Sequence, residues 1–274
     1  MLITSPQNPR IKAVAKLLES RHRRKTGLFL VEREREITRA LAAGFVLTEL
    51  YWYPRRWPQD WSPQGAFGLN EHQVIEVSDS VLAKMTVSEN PQGAVGVFEH
   101  RSTTVDELFL KTPEKPGLWL VTVGIEKPGN LGAMARTAES AGCSGMLVCT
   151  NSQTHGADLY NPNAIRSSTG AIFSLPMADV PEDQAITLLK AGGIQIVTTS
   201  DRAQMRWDKV DFAADTAIVI GPEDTGLPQS WLTAGEGILP VSIPMQGSNC
   251  DSLNASVAAG VLLYEAVRQR LLSC

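Results

Sequence analysis

Cysteine is scarce in this chain: Cys143, Cys149, Cys250 and Cys274 are the only four in 274 residues, and no two form a C-x-x-C pair. That spacing excludes a disulfide framework and leaves reduced thiols as the expectation. Histidine is equally sparse. His22, His72, His100 and His155 stand without metal-ligand spacing, so no metal site is expected. No run of 18 apolar residues occurs, and the opening MLITSPQNPRIK lacks the apolar block of a secretory signal. Membrane insertion and export are therefore not expected, and a cytoplasmic protein is. Signature loops are missing too. No G-x-G-x-x-G follows a strand, and neither G-x-x-x-x-G-K-[ST] nor G-x-S-x-G occurs, which removes the usual dinucleotide, P-loop and nucleophile-elbow chemistries.

What is present is ample apolar material, 43% of the residues, enough to fill a core in each of two domains. The net charge of −4 disfavours a general nucleic-acid binder, but the charge is uneven. Residues 1–40 carry ten Lys or Arg against four Glu, a local +6 that leaves −10 for the remainder. Such asymmetry points to a polyanion.

Asn8-Pro9 reads as a cap and first turn, with Ile11, Val14, Ala15 and Leu18 recurring at helical spacing and Arg10, Lys12 and Lys16 facing outward. This helix is expected to run through RHRRKTG to Gly27, and a second, VEREREITRALAAG, to stop at Gly44. FVLTELYWY, VIEVS and GAVGVFE read as strands, and PRRWPQDWSPQGAFG between the first two as a loop. Residues 1–105 thus form a small α/β domain, followed by a Pro-containing linker over 106–116.

Residues 117–274 alternate. GLWLVTVGI, GMLVC, AIFSL, IQIVTTS, TAIVIG and VSIPM read as strands, with helices from Asn130, from Asn161, over EDQAITLLKAG, after Pro228, and from Ser252 to Leu272. The expected fold class is α/β, a mainly parallel sheet covered by helices on both faces. In such sheets ligands sit beyond the carboxyl ends of strands, which selects three loops.

The first loop, VGIEKPGNLGAMARTAESAG, places Asn130 at an N-cap position and sets Arg136 in a helix of small residues. Arg136 either offers a fixed cation to a ligand or simply reaches solvent or Glu139. The second, AIVIGPEDTGLPQSWL, has turns at Gly221-Pro222 and Gly226 with Glu223 between them; alone, it is an ordinary surface loop. The third, IPMQGSNCDSLNASVAAG, sets Ser252 and Asn254 beside a nearly apolar helix. Ser252 is a candidate cap, which leaves Asn254 unexplained.

In this order the segments NLGAMARTAESAG, IVIGPEDTGLP and IPMQGSNCDSLNASVAAGVLLYEAVRQ resemble the three motifs of the SpoU or TrmH family of RNA ribose 2′-O-methyltransferases, within the SPOUT superfamily. The resemblance covers residues 118–270. The first domain resembles the ribosomal-protein-type RNA-binding domain of such enzymes through ITSPQNPRIKAVAKLL, FLVE and VSENPQG. One departure stands out: Arg33 follows FLVE where the family usually has glycine, so a helix start is expected in place of a turn.

The resemblance implies S-adenosylmethionine as cofactor, a homodimer, and a C-terminal trefoil knot around the cofactor pocket. It implies cofactor contacts from the loops at Thr199, Gly221, Ile243, Met245 and Leu253. It casts Arg136 as the acceptor-side group, supplied by one subunit to the cofactor of the other, with Asn130, Glu223, Ser252 and Asn254 orienting it, the ribose or a phosphate. With that resemblance, RNA capture is assigned to Lys16, Arg21, Arg23, Arg24 and Lys25, together with Arg136; without it, a solvated helix end is the simpler reading of the charge run. Ribosomal RNA is preferred over transfer RNA as the target. The rivals are a non-catalytic RNA-binding or ribosome-assembly protein of the same fold and a doubly wound enzyme for another small nucleotide.

Overall fold

A computed structural model describes residues 2–101, 103–109, 116–150, 158–233, 237–247, 249 and 251–272. Most of the expected linker, together with His155, Ser248, Cys250 and Cys274, therefore lies outside the described residues. The chain divides into two compact units, Met1–Arg101 with Asp158–Ser174, and Ser102–Ala157 with Leu175–Cys274.

In the first unit the elements are β1 (Leu2–Ile3), α1 (Pro9–Ala15), α2 (Ser20–Thr26), β2 (Leu28–Glu32), α3 (Glu34–Ala42), β3 (Leu47–Trp52), α4 (Pro63–Phe67), β4 (Val74–Val77), α5 (Asp79–Lys84) and β5 (Ala94–Glu99). The strands form one sheet in the order β1-β4-β3-β5-β2, with β5 antiparallel to both of its neighbours. Ile11, Val14 and Leu17 pack onto it with Leu30, Tyr51, Ile75 and Val97.

Asn8 caps α1 as read from the sequence, its side chain accepting from the Arg10 N–H at 2.9 Å. The single helix expected to reach Gly27 is broken at Glu19, whose backbone is extended at φ −93° and ψ 131°. One reason is visible: the Leu17 carbonyl accepts from Arg23 Nη1 at 2.6 Å, a partner a continuous helix would replace with a main-chain N–H. Two further expectations are corrected. Val31 and Glu32 belong to β2 and not to a helix. Arg33, which precedes α3, holds φ 77° and ψ 139°, a region that glycine adopts freely and other residues rarely do. The glycine-type turn and the helix start therefore coexist at Arg33.

The second unit contains α6 (Val105–Phe109), β6 (Leu118–Val123), α7 (Pro128–Ser140) and β7 (Gly145–Thr150). Helices α8 (Pro162–Ser168) and α9 (Ala171–Ser174) belong to the first unit. The second resumes with β8 (Met177–Pro181), α10 (Glu182–Ala191), β9 (Gln195–Thr199), β10 (Met205–Arg206), β11 (Thr216–Ile220), α11 (Gln229–Leu232), β12 (Ile238–Ser242) and α12 (Ala255–Leu272). Its seven strands are parallel throughout, in the order β10-β12-β9-β11-β6-β7-β8.

Trp119, Val121 and Val123 of β6 pack with Leu108, Ala185, Leu189 and Trp231 from α6, α10 and α11. The alternate residues of each strand point to the other face, where α7 and α12 lie. On this side Gly260 comes close to Thr137, so that an added Cβ would stand 3.8 Å from its methyl group. The run AIFSL, expected as a strand, forms α9 instead, and the strand lies at Met177–Pro181. Short apolar runs fit either state, and here Gly170 at φ 88° starts a helical turn.

Candidate active site at the carboxyl ends of four strands

Strands β6, β11, β9 and β12 are successive neighbours in the parallel sheet, so their carboxyl ends open side by side. The register pairs Thr122 with Ile220, Val219 with Thr198, and Thr199 with Val241. At about 4.8 Å per strand, the carboxyl ends of β11 and β12, which lead into Gly221 and Ile243, lie about 10 Å apart with Thr199 of β9 between them. Gly221 is fixed by close packing. A Cβ there would lie 2.9 Å from Leu227 Cγ and 3.0 Å from the Gly226 carbonyl carbon. Thr199 donates its hydroxyl to the Val219 carbonyl at 3.2 Å, fastening β9 to β11 at the rim. Past β12 the chain leaves the sheet, and the main chain of Met245, Gln246 and Gly247 makes no backbone hydrogen bond with another described residue. Ile243, Met245 and Leu253 are half-buried beside it.

One carboxylate ties the three loops together. Glu223 Oε1 accepts from Asn130 Nδ2 at 2.9 Å, Asn254 Nδ2 at 2.6 Å and the Ala255 N–H at 3.1 Å. Its other oxygen faces Lys127 Nζ at 3.4 Å. The Ala255 N–H above all, then the Asn130 amide with Lys127 beside it, holds the Glu223 carboxyl below its usual range. Asn254 also caps α12: its Oδ1 accepts from the Ser256 N–H at 3.0 Å and its carbonyl from Val257 and Ala258.

Two cap assignments change accordingly. Helix α7 begins at Pro128, so Asn130 lies inside the first turn, with its amide free to turn to Glu223. Asn254 and not Ser252 caps the last helix, and Ser252 is exposed with no partner among the described residues. Lys127 and Ser256, which complete the network, were missed. A lysine before a proline and a serine two places into a helix carry no distinguishing signal in sequence.

Arg136 is six positions beyond Asn130, about 9 Å along the helix axis and on another side. It is exposed and makes no hydrogen bond or ion pair with a described residue, Glu139 included. It does not join the Asn130–Glu223–Asn254 network within one chain.

In the first unit Lys16, Arg21, Arg24 and Lys25 are exposed as expected of a cationic face. Arg23 is not. It is 0% exposed, donates from Nε and Nη2 to Asp158 Oδ2 at 2.9 and 2.6 Å, and has no surface to offer RNA. Arg10, expected outward, donates to Glu49 at 2.7 Å and to the Tyr51 hydroxyl at 3.0 Å. The FLVE and VSENPQG segments meet: Glu32 Oε1 accepts from the Val87 N–H at 2.7 Å. Cys143 and Cys149 are free, and burial pushes both thiols up to about 12, which removes them as nucleophiles at neutral pH. Among the described residues no group of three His, Cys, Asp or Glu could hold a metal, and no helix is long and apolar enough to cross a membrane.

Residues 117–264 match the SpoU rRNA methylase family, and residues 8–96 match the MRM3-like substrate-binding domain. The chain belongs to the SpoU methylase family. Its three motif loops are those that Glu223 joins. Among SpoU relatives it is 33% identical to the 23S rRNA (uridine(2479)-2′-O)-methyltransferase of Streptomyces viridochromogenes over 98% of this chain and 92% of the relative. The solved SpoU methyltransferase AviRb of the same organism, in complex with AdoMet, superposes with TM-score 0.84 at 30% identity, covering 97% of this chain and 99% of that one. A solved RNA 2′-O ribose methyltransferase is 40% identical, with TM-score 0.83 over 99% of this chain and all 100% of the other.

Proposed function

We propose that this chain transfers the methyl group of S-adenosylmethionine to a ribose 2′-hydroxyl of ribosomal RNA, acting in the cytoplasm as a homodimer. The carrying observation is the convergence of three loops on Glu223, through Asn130, Asn254 and the Ala255 N–H. Relatives named for ribosomal RNA match nearly the whole chain, the first unit included, which favours that substrate over transfer RNA.

The pocket suits this cofactor. Main-chain groups at Met245–Gly247 that make no backbone hydrogen bond with another described residue, the tight turn at Gly221 and the half-buried Ile243, Met245 and Leu253 offer hydrogen bonds and apolar cover to an adenosine and an amino-acid tail. Thr199 forms the rim between them. When bound, S-adenosylmethionine supplies an electrophilic methyl on a cationic sulfur, and the protein's task is chiefly to align it with the oxygen.

Arg136 is too basic to accept a proton at neutral pH. Its guanidinium orients the target phosphate and stabilises negative charge developing on the 2′ oxygen, while the proton leaves to a phosphate or water. Glu223, saturated with donors, clamps the loops and does not act as a base. Ser252 is left to contact the ribose or a phosphate. Since Arg136 stands outside the network of its own chain, the homodimer reading has it serve the cofactor of the other subunit, in line with the knotted pocket the family resemblance implies. An apolar face supports association: Val257 and Tyr264, seven apart on α12, are 50% and 51% exposed. Calorimetric titration of the purified chain with S-adenosylmethionine tests the reading. Saturable uptake is expected, and no uptake by a folded dimer contradicts it.

A further inference from the structure

Three of the six tryptophans, Trp52, Trp57 and Trp61, fall within ten positions beside Arg55, Arg56 and Phe67. Trp57 and Trp61 stack with centroids 3.8 Å apart and planes 16° apart, and Trp61 touches Trp52 and Phe67 at 5.7 and 5.8 Å. A local hydrophobic core is the bland account of such a cluster. It does not cover what lies next to it. Trp57 lines an open cleft of about 470 Å³ whose other walls are Glu34, Arg56, Pro91 and Gln92. Trp61 stacks on Trp57 but is not part of that lining. The edge of Trp57 is wedged against Gly93, where a Cβ would stand 2.5 Å from Nε1.

The polar walls are held in place. Arg56 donates from Nε and Nη2 to Asp79 Oδ1 at 3.0 and 2.7 Å and from Nη1 to the Pro91 carbonyl. These bonds lie in the guanidinium plane and use neither of its faces, the surfaces that stack on a base. Glu34 opens α3 and accepts from Trp61 Nε1 at 3.3 Å through one oxygen, leaving its other oxygen without a partner among the described residues. Arg55 is exposed and has no partner among the described residues, and Arg33 adds a second cation immediately before Glu34. An indole, a guanidinium plane, an acceptor-only carboxylate and flanking cations together match one chemical class: a nucleotide with an unpaired base. The two adjacent N–H donors on the pairing edge of guanine fit a carboxylate best.

We infer that this cleft docks one unpaired guanosine of the RNA substrate, the base stacked on Trp57 beside Arg56, its pairing edge on Glu34 and its phosphates toward Arg33 and Arg55. The inference rests on the RNA methyltransferase reading and adds a positioning site remote from the strand-end pocket in sequence.

The test uses the full chain with ribosomal RNA transcribed with 6-thioguanosine, irradiated and mapped by peptide mass spectrometry. Crosslinks to peptides containing Trp57 or Gln92 are expected. In steady-state methyl transfer, Trp57→Leu and Glu34→Gln are each expected to raise KM for RNA about tenfold with kcat and cofactor affinity unchanged, the scale of one lost base-stacking or edge contact. Glu34→Gln keeps an acceptor for Trp61, so it reports even if Trp57→Leu fails to fold. Crosslinks confined to other regions, or an unchanged KM in Glu34→Gln, overturn the docking site while methylation by the parent chain persists. Crosslinks at the cleft with no methylation would uphold docking and overturn the enzymatic reading.

Discussion

Asn254 Nδ2 donates to Glu223 Oε1 at 2.6 Å across 31 positions of sequence, and the same amide touches Asn130 Oδ1 at 3.2 Å. Because Asn254 is also the cap of α12, one side chain both marks where the last helix begins and holds Glu223 of the loop after β11. Asn254→Ala removes the cap, which costs about 1 kcal/mol. It also strips a charge-assisted donor from Glu223, and S-adenosylmethionine affinity is expected to fall about tenfold. Thermal melting and calorimetry on the same sample check both, and slower single-turnover transfer should accompany them.

Arg136→Ala is expected to behave oppositely. The side chain is exposed and without a partner among the described residues, so melting should not change. Methyl transfer should fall by about a hundredfold or more, with cofactor affinity nearly intact, as expected when a charge-stabilising donor is lost. Normal turnover would remove Arg136 from the reaction.

The basic segment separates into two kinds of residue. Arg23→Ala leaves Asp158 and the Leu17 carbonyl without their buried partner, a loss of about 3–5 kcal/mol of stability. Arg24→Ala and Lys25→Ala should leave melting unchanged, weaken RNA binding and lower its dependence on salt by about one unit of logarithmic slope each.

Glu223 predicts an acid-side effect. Its carboxyl is held below the ordinary 4.5 in the folded chain. Its contribution to stability is therefore complete above that value and lost as pH falls through the lower folded value. Melting temperatures from pH 6 downward should drop more steeply below about 4.5 for the parent chain than for Glu223→Gln. Parallel curves would show that the network adds nothing to folding.

Much of the scaffold was legible in sequence. The Asn8-Pro9 cap, the Gly27 stop and the parallel strands around TAIVIG and IQIVTTS follow from local rules and hydrophobic pattern, and they form as expected. The loops that carry polar residues at the strand ends were also found, because a parallel sheet directs ligands there. What stayed hidden depends on partners far along the chain. Arg23 looks like its neighbours Arg21 and Arg24 until Asp158 arrives from 135 positions away. Asn130 resembles a cap although Pro128, two places earlier, carries the first-turn signal that Pro9 does, and nothing local reveals that Glu223 is waiting across the sheet. The apolar run AIFSL lacks enough length to distinguish a strand from a helical turn. The grouping of residues 158–174 with the first unit has no local signature at all.

The most direct measurement is incubation of the purified chain with ribosomal RNA and methyl-labelled S-adenosylmethionine, followed by alkaline hydrolysis. A 2′-O-methyl group blocks the internal attack that cleaves the chain. Label recovered in alkali-resistant dinucleotides, and reduced about a hundredfold or more with Arg136→Ala, is the expected result. Label in ordinary mononucleotides, which would place the methyl on a base, or no label at all from the folded protein, would contradict the account.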